Sequence, residues 1–250
     1  MTGRLKSIFI SDEISPGTFF TLMFIVGIVS LALRLWLYNI TAGFSEYFGT
    51  EDAYRMDMIF REDLPFTTNI GPMQALIAHA LMALFPNIAY PTQLINLILG
   101  AFSPMLLLWA MMRHGKFPAF GAAFALAISS GHIIFSTVGT GEVLCVFFMI
   151  FCALAMEKAM KGQLENRSTA SILWMLLAVA GYAACCLTRF EYWAAAPFLI
   201  LYCFLVYKKL RWLSLGFLIG PALWLIFSKL YYGAFFESAN LVDPATLDAG

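Results

Sequence analysis

Seven apolar runs, separated by short polar breaks, constrain this chain more than any other feature. A helix needs ~20 apolar residues to cross about 30 Å of hydrocarbon. The runs cover 19–40, 91–112, 117–138, 143–160, 172–187 with its flanks, 192–207 and 213–231. The shortest, 192–207, counts as a span because the chain must still reach the basic cluster at Lys208, Lys209 and Arg211. Hydrophobic residues make up 61% of the chain and charged residues 12%, whereas a soluble domain has ~45–50% and ~25%. The same figures exclude disorder, which needs low hydrophobicity and high net charge. Fifteen basic residues balance fifteen acidic ones, so no basic field marks a nucleic-acid partner. The five cysteines all lie in apolar runs, where they read as small helix-facing residues. None has zinc or disulfide spacing. Arg4 and Lys6 precede a long apolar run without a small-residue cleavage pattern, so no removable signal is read.

The expected fold is therefore all-α: a polytopic transmembrane helical bundle of about seven spans, forming a single membrane domain over 1–250. The segment 73–85 is too short to span and lies between Pro72 and Pro86. Met73, Leu76, Ile77, Ala80, Leu81 and Leu84 keep helical spacing, which predicts a helix lying in the interface or re-entering it. The stretch 41–90 becomes a long first outer loop carrying short juxtamembrane helices. The polar stretch 233–250 stops without a closing element, so the chain reads as the N-terminal part of a longer enzyme.

Lys and Arg placement sets the expected direction. With the N-terminus cytoplasmic, ten of the fifteen basic residues fall inside: Arg4, Lys6, Arg113, Lys116, Lys158, Lys161, Arg167, Lys208, Lys209 and Arg211. Eleven of the fifteen acids fall outside, at 46, 51, 52, 57, 62, 63, 142, 191, 237, 243 and 248. Counting 73–85 as a span would put Arg113 and Lys116 outside, so the short helix is expected to stay on the outer side. A long acidic outer loop is also where chemistry is expected, since connections are typically ~4–6 residues.

Several ionisable residues converge on that face. Thr50 can cap a helix whose first turn holds Glu51 and Asp52. Glu51–Arg55 and Asp57–Arg61 are i,i+4 pairs, which explains the acids without catalysis. Alternatively one of Glu51 and Asp52 is a general base or a ligand for a hard cation. Arg34 lies inside the first run, a costly place for a charge. It either snorkels to the outer headgroups or turns inward to a loop carboxylate. Glu142 opens the fourth run after a glycine hairpin, either as a first-turn acid or as a polar contact for substrate or metal. Arg189 and Glu191 share the turn after the fifth run, where they can pair with each other. An Arg at the membrane edge also suits a lipid phosphate, and Lys229 can supply the same charge. His79 and His132 read as satisfied polar residues within helices, and the Phe and Trp residues as lipid-facing or belt residues.

Taken in order, short motifs resemble the C-type (GT-C) glycosyltransferases, polytopic enzymes that use polyprenyl-phosphate sugars. The chain is most similar to their protein-O-mannosyltransferase and aminoarabinose-transferase branch. The motifs are Leu33-Arg34-Leu35, Glu51-Asp52-Ala53-Tyr54, Gly71-Pro72 leading into the short helix, and Ser130-Gly131-His132-Ile133-Ile134-Phe135-Ser136 with Glu142. Leu187-Thr188-Arg189-Phe190-Glu191 and Tyr231-Tyr232-Gly233 complete the series.

The resemblance implies an inverting sugar transfer from a polyprenyl-phosphate donor to an acceptor hydroxyl on a lipid, glycan or protein, at the outer face of a bacterial inner membrane. Asp52 would be the general base, with Glu51 next. Arg189 would hold the departing phosphate, with Lys229 second. Glu191, Glu142 and Arg34 would complete substrate binding. A divalent metal, Mg or Mn, is left open, because some branches use one and no paired-Asp motif here compels it. Two other classes are expected to compete with this reading: a transporter or flippase of lipid-linked sugar, and an inactive membrane scaffold fragment.

Overall fold

The computed structural model describes residues 15–41, 72–85, 91–207 and 209–232. Every element among them is helical. The order is α1 (Pro16–Thr41), the short α2 (Pro72–Leu84) and α3 (Pro91–Met111), which runs on through a 3-10 turn at Met112–His114. Next come α4 (Lys116–Ile128) and α5 (Ser130–Val138), then the hairpin of α6 (Gly141–Leu164) and α7 (Ser168–Thr188). A 3-10 stretch at Phe190–Ala195 leads into α8 (Ala196–Val206), and another at Arg211–Leu218 into α9 (Ile219–Tyr232).

Among the described residues five helices are long and apolar enough to cross a membrane: Pro16–Ile40, Thr92–His114, Gly141–Leu164, Ser168–Thr188 and Arg211–Leu230. A sixth is gained if α4 and α5, bent 52° apart, count as one. Seven spans were expected, and the described residues show five or six helices of that kind. The predicted span 192–207 falls in Phe190–Val206, a shorter helix whose first six residues are 3-10. The bend has a local cause. Ser129 adopts an extended conformation (φ −61°, ψ 116°) in the run Ser129-Ser130-Gly131, and Gly/Ser pairs are common kink sites.

The burial pattern suits lipid. Large apolar side chains such as Phe20, Phe24, Trp36, Phe117, Phe198, Trp212 and Leu230 face outward. Small residues fill the contacts, as membrane helix packing favours. Gly220 shows how close the backbones come: a Cβ there would lie 2.9 Å from the Ala183 Cα. One core joins α6, α7 and α8 around Ala155, Ala159, Met175, Ala178 and Phe217, and a second joins α1, α3 and α4 around Val26, Leu108 and Ala123. Tyr207 closes the first core by donating its hydroxyl to the Met156 carbonyl at 2.6 Å. These apolar helices fit a multi-pass membrane protein.

Contacts along the helices fix which ends meet. Gly27 packs on Met105 and Gly100 on Arg34, so α1 and α3 are antiparallel. Gly162 packs on Ser171 and Gly181 on Phe151, so α6 and α7 are antiparallel too. One end of the bundle therefore gathers Thr41, Thr92, Gly139, Gly141 and Thr188. The other gathers Arg113, Lys158, Lys161 and Arg167, where Arg113 meets Glu157 and Glu165 meets Lys161 and Arg167. Of the charged residues assigned to the two faces, Glu142 and Glu191 lie at the first end and Arg113, Lys158, Lys161 and Arg167 at the second; the other nine acids lie outside the described residues.

Candidate functional site

Arg189 lies just past the last turn of α7, in an extended conformation (φ −148°, ψ 127°). That turn aims its guanidinium across the hairpin. Nη1 donates to Glu142 Oε1 at 2.5 Å, while Nη2 and Nε donate to the two Glu191 oxygens at 2.8 and 3.4 Å. Glu142 stands in the first turn of α6, where the helix dipole favours an acid. Its other oxygen, Oε2, is buried and has no hydrogen-bond partner among the described residues. Hydrogen bonds that Arg189 donates to Glu191, then the nearby Glu142 charge, hold the Arg189 pKa above its ordinary value, against partial desolvation. The same bonds hold the Glu191 carboxyl below the usual carboxylate range. Two carboxylates against one guanidinium leave the cluster one charge negative.

The short helix α2 joins this cluster. Gln74 Nε2 donates to the Gly139 carbonyl at 2.6 Å, and Gly139 itself is left-handed (φ 81°) at the end of α5, a conformation glycine adopts without penalty. A Cβ on Gly141 would lie 3.0 Å from Thr188 Cγ2, 3.4 Å from Gln74 Oε1 and 3.7 Å from Arg189 Cγ. Glycine at 141 therefore lets three segments of the chain converge. Aromatic rings flank them: Phe190 packs edge-on to Trp193, and Trp193 to Trp224 of α9. Tyr182 pins this turn by donating to the Tyr192 carbonyl at 2.6 Å.

A second polar feature runs inward from the same end. Thr92, Asn96 and Gly100 recur every four residues along one face of α3, and Gly100 packs on Ser136 of α5. Asn96 donates to the Thr140 carbonyl at 2.9 Å and Gln93 to the Thr137 carbonyl at 2.5 Å. At the deep end sits Arg34, fully buried. Its Nε donates to Ser136 Oγ at 3.1 Å, and its Nη1 to the Ser30 carbonyl and hydroxyl at 2.8 and 2.6 Å. Arg34 thus does not snorkel to headgroups. It points into the bundle, and no described carboxylate meets it.

Of the residues singled out in the sequence, Arg189, Glu191 and Glu142 are brought together. Lys229 is at the same end, because Gly216 packs on Val179 and Gly220 on Ala183, so α9 runs alongside α7 towards Arg189. Asp52 and Glu51 lie outside the described residues. Among the described residues no group of three or more His, Cys, Asp or Glu could hold a metal. Gln74 was missed because a lone polar residue on a short apolar helix carries no motif. His132 is buried, and its Nε2 has no hydrogen-bond partner among the described residues. The every-fourth-residue polar stripe Thr92, Asn96, Gly100 was the signal available for the seam. No family model, no curated protein and no solved structure matches this chain.

Proposed function

We propose that this chain is a membrane glycosyltransferase that moves a sugar from a polyprenyl-phosphate donor to an acceptor hydroxyl at the outer membrane face. The observation that supports the reading is the Arg189 fork, held by two carboxylates at the end of the bundle where α2 docks. Arg presents paired donors that match a phosphate or a carboxylate equally well. In this reading the half-exposed Glu191 carboxylate stands where the donor phosphate binds, and it gives way when the donor arrives. Glu142 stays, keeps the fork aimed, and offers Oε2 to a substrate hydroxyl.

The phosphate gains charge as the glycosidic bond breaks, so a fixed cation lowers that barrier. Asp52, in the loop leading into α2, takes the acceptor proton, with Glu51 as the alternative base. The sugar then inverts, because the acceptor oxygen attacks the anomeric carbon opposite the leaving phosphate. Phe190 and Trp193 give the polyprenyl chain or the sugar face an apolar wall.

The test is transfer from a radiolabelled polyprenyl-phosphate sugar by the purified chain in lipid nanodiscs, with a membrane extract as acceptor source. Wild type is expected to label acceptor, whereas Asp52→Asn and Arg189→Gln are expected to lose labelling while keeping the wild-type elution profile. Full activity in Arg189→Gln would overturn the role of the fork.

A further inference from the structure

The seam between α3 and α5 ends on a charge that its surroundings leave incomplete. Arg34 stands seven residues before the end of α1, about 10 Å along the helix axis. Its hydrogen bonds reach only neutral acceptors, Ser30 and Ser136, and Nη2 has no partner among the described residues. An isolated charge in an apolar interior is expensive, and each unmet buried polar atom costs about 1–3 kcal/mol.

The neighbouring polar atoms are unmet as well. Pro104 has no N–H to give the Gly100 carbonyl four residues earlier. Ser136 Oγ, which accepts from Arg34 Nε, donates in turn to the His132 carbonyl, so His132 stands one turn from Arg34's partner. Its Nε2 accepts or donates according to the tautomer. Among the described residues His132 Nε2, Asn96 Oδ1 and Thr92 Oγ1 are all buried without partners. Glycine at 100 holds the group together, since a Cβ there would lie 3.1 Å from Arg34 Nε and still closer to Ser136.

Beside Arg34 the unmet set is a cationic donor, an imidazole nitrogen and, one turn along α3 from Gly100, the Asn96 amide oxygen. Apolar matter satisfies none of them. A carboxylate would meet Arg34 but leave the acceptors bare, and a neutral polyol would leave the charge bare. A phosphate monoester or hydrogen phosphate meets both, with an anionic oxygen for Arg34 Nη2 and a P–OH for His132 Nε2 or Asn96 Oδ1. The geometry points to a second, deeper phosphate site, in which the α3–α5 seam opens to admit a phosphate group onto Arg34 and His132. The break at Ser129 separates α5, a nine-residue piece, from α4. This site stands whether or not the chain transfers sugar at Arg189.

The experiment is thermal unfolding of the full chain in maltoside micelles, titrated with inorganic phosphate and separately with a short-chain phosphatidic acid. Sulfate at equal ionic strength controls for salt. A ligand at a hundred times its Kd should raise the wild-type Tm by several degrees. A rise with phosphatidic acid alone assigns a lipid headgroup, a rise with inorganic phosphate alone assigns the free ion, and a rise with both assigns the shared group. Arg34→Met should melt no lower than wild type without ligand, because it removes an uncompensated buried charge, and should lower the rise. Arg34→Lys should keep more of it than Arg34→Met does, and Arg189→Gln should keep a rise that adding Arg34→Met abolishes. No rise in wild type overturns the site. So does a strongly destabilised Arg34→Met, which would mean the chain itself already satisfies the guanidinium. Loss of the rise in Arg189→Gln would move the phosphate to the outer cluster and overturn it as well.

Discussion

Glu142 and Arg189 meet at 2.5 Å although 47 residues separate them in sequence. The contact ties the first turn of α6 to the end of α7, and both side chains keep about a third of their surface exposed. A pair this wet contributes little to stability, within about 1 kcal/mol. Its value is in aiming the fork. Glu142→Gln is therefore expected to leave Tm within a few degrees of wild type while lowering transfer roughly tenfold or more, the scale of a charge-assisted hydrogen bond. Glu191→Gln should act oppositely on binding, lowering the apparent KM for the donor because a competing carboxylate has gone. Steady-state kinetics on the two variants, with thermal unfolding beside them, checks both signs.

The Glu191 carboxyl titrates below its ordinary value because Arg189 donates to it. A depressed acid contributes stability that is fully present above the unfolded value of about 4.3 and is lost as pH falls through the lower folded value. Wild type should therefore lose stability relative to Glu191→Gln as pH drops from about 5 to 3, and the two should differ by a constant amount above pH 5. Because Glu191 is half exposed, the difference is small. Paired melting curves across that range measure it, and a difference that grows towards acid pH would contradict the pairing.

Much of this arrangement was legible in the sequence, and the part that was not has a common cause. The α2 helix, the apolar helices and the gathering of Glu142, Arg189 and Glu191 follow from local signals: run length, proline borders and charge segregation. Arg34 was visible as an anomaly, yet its environment was not. Ser136 lies 102 residues away, and nothing local tells whether an arginine in an apolar helix turns to lipid headgroups or to a neighbouring helix. The bend at Ser129 was written in Ser129-Ser130-Gly131 but hidden by the continuous apolarity on either side. Likewise, length alone does not separate an α-helical span from the 3-10 start at Phe190. Glu51 and Asp52 carry the catalytic expectation through resemblance, and they remain a matter for mutagenesis.

Gly100 offers a direct check on the packing around Arg34. A Cβ there would collide with Ser136 Oγ and sit 2.7 Å from its Cβ, both far inside contact distance. Gly100→Ala should destabilise the protein by about 1–3 kcal/mol, as overpacking does. Adding Ser136→Gly removes both clashing atoms, so the double variant should be more stable than Gly100→Ala alone despite the glycine it places in α5. Additive losses in this cycle would show that the two residues do not touch.

The topography itself can be read chemically. All five native cysteines are buried, so an introduced exposed cysteine should label over a low background. Glu191→Cys and Asp52→Cys are expected to react with an impermeant maleimide added outside right-side-out cells or vesicles. Lys161→Cys, exposed in the last turn of α6 beside Glu165, should react only after permeabilisation. The ordering follows from the antiparallel α6–α7 hairpin, which holds positions 161 and 191 at opposite ends whatever the direction of insertion. Only the placement of 52 is free to vary. If Asp52→Cys labels with Lys161→Cys rather than with Glu191→Cys, the base and the phosphate-holding cation stand on opposite membrane faces, and no single reaction can use both.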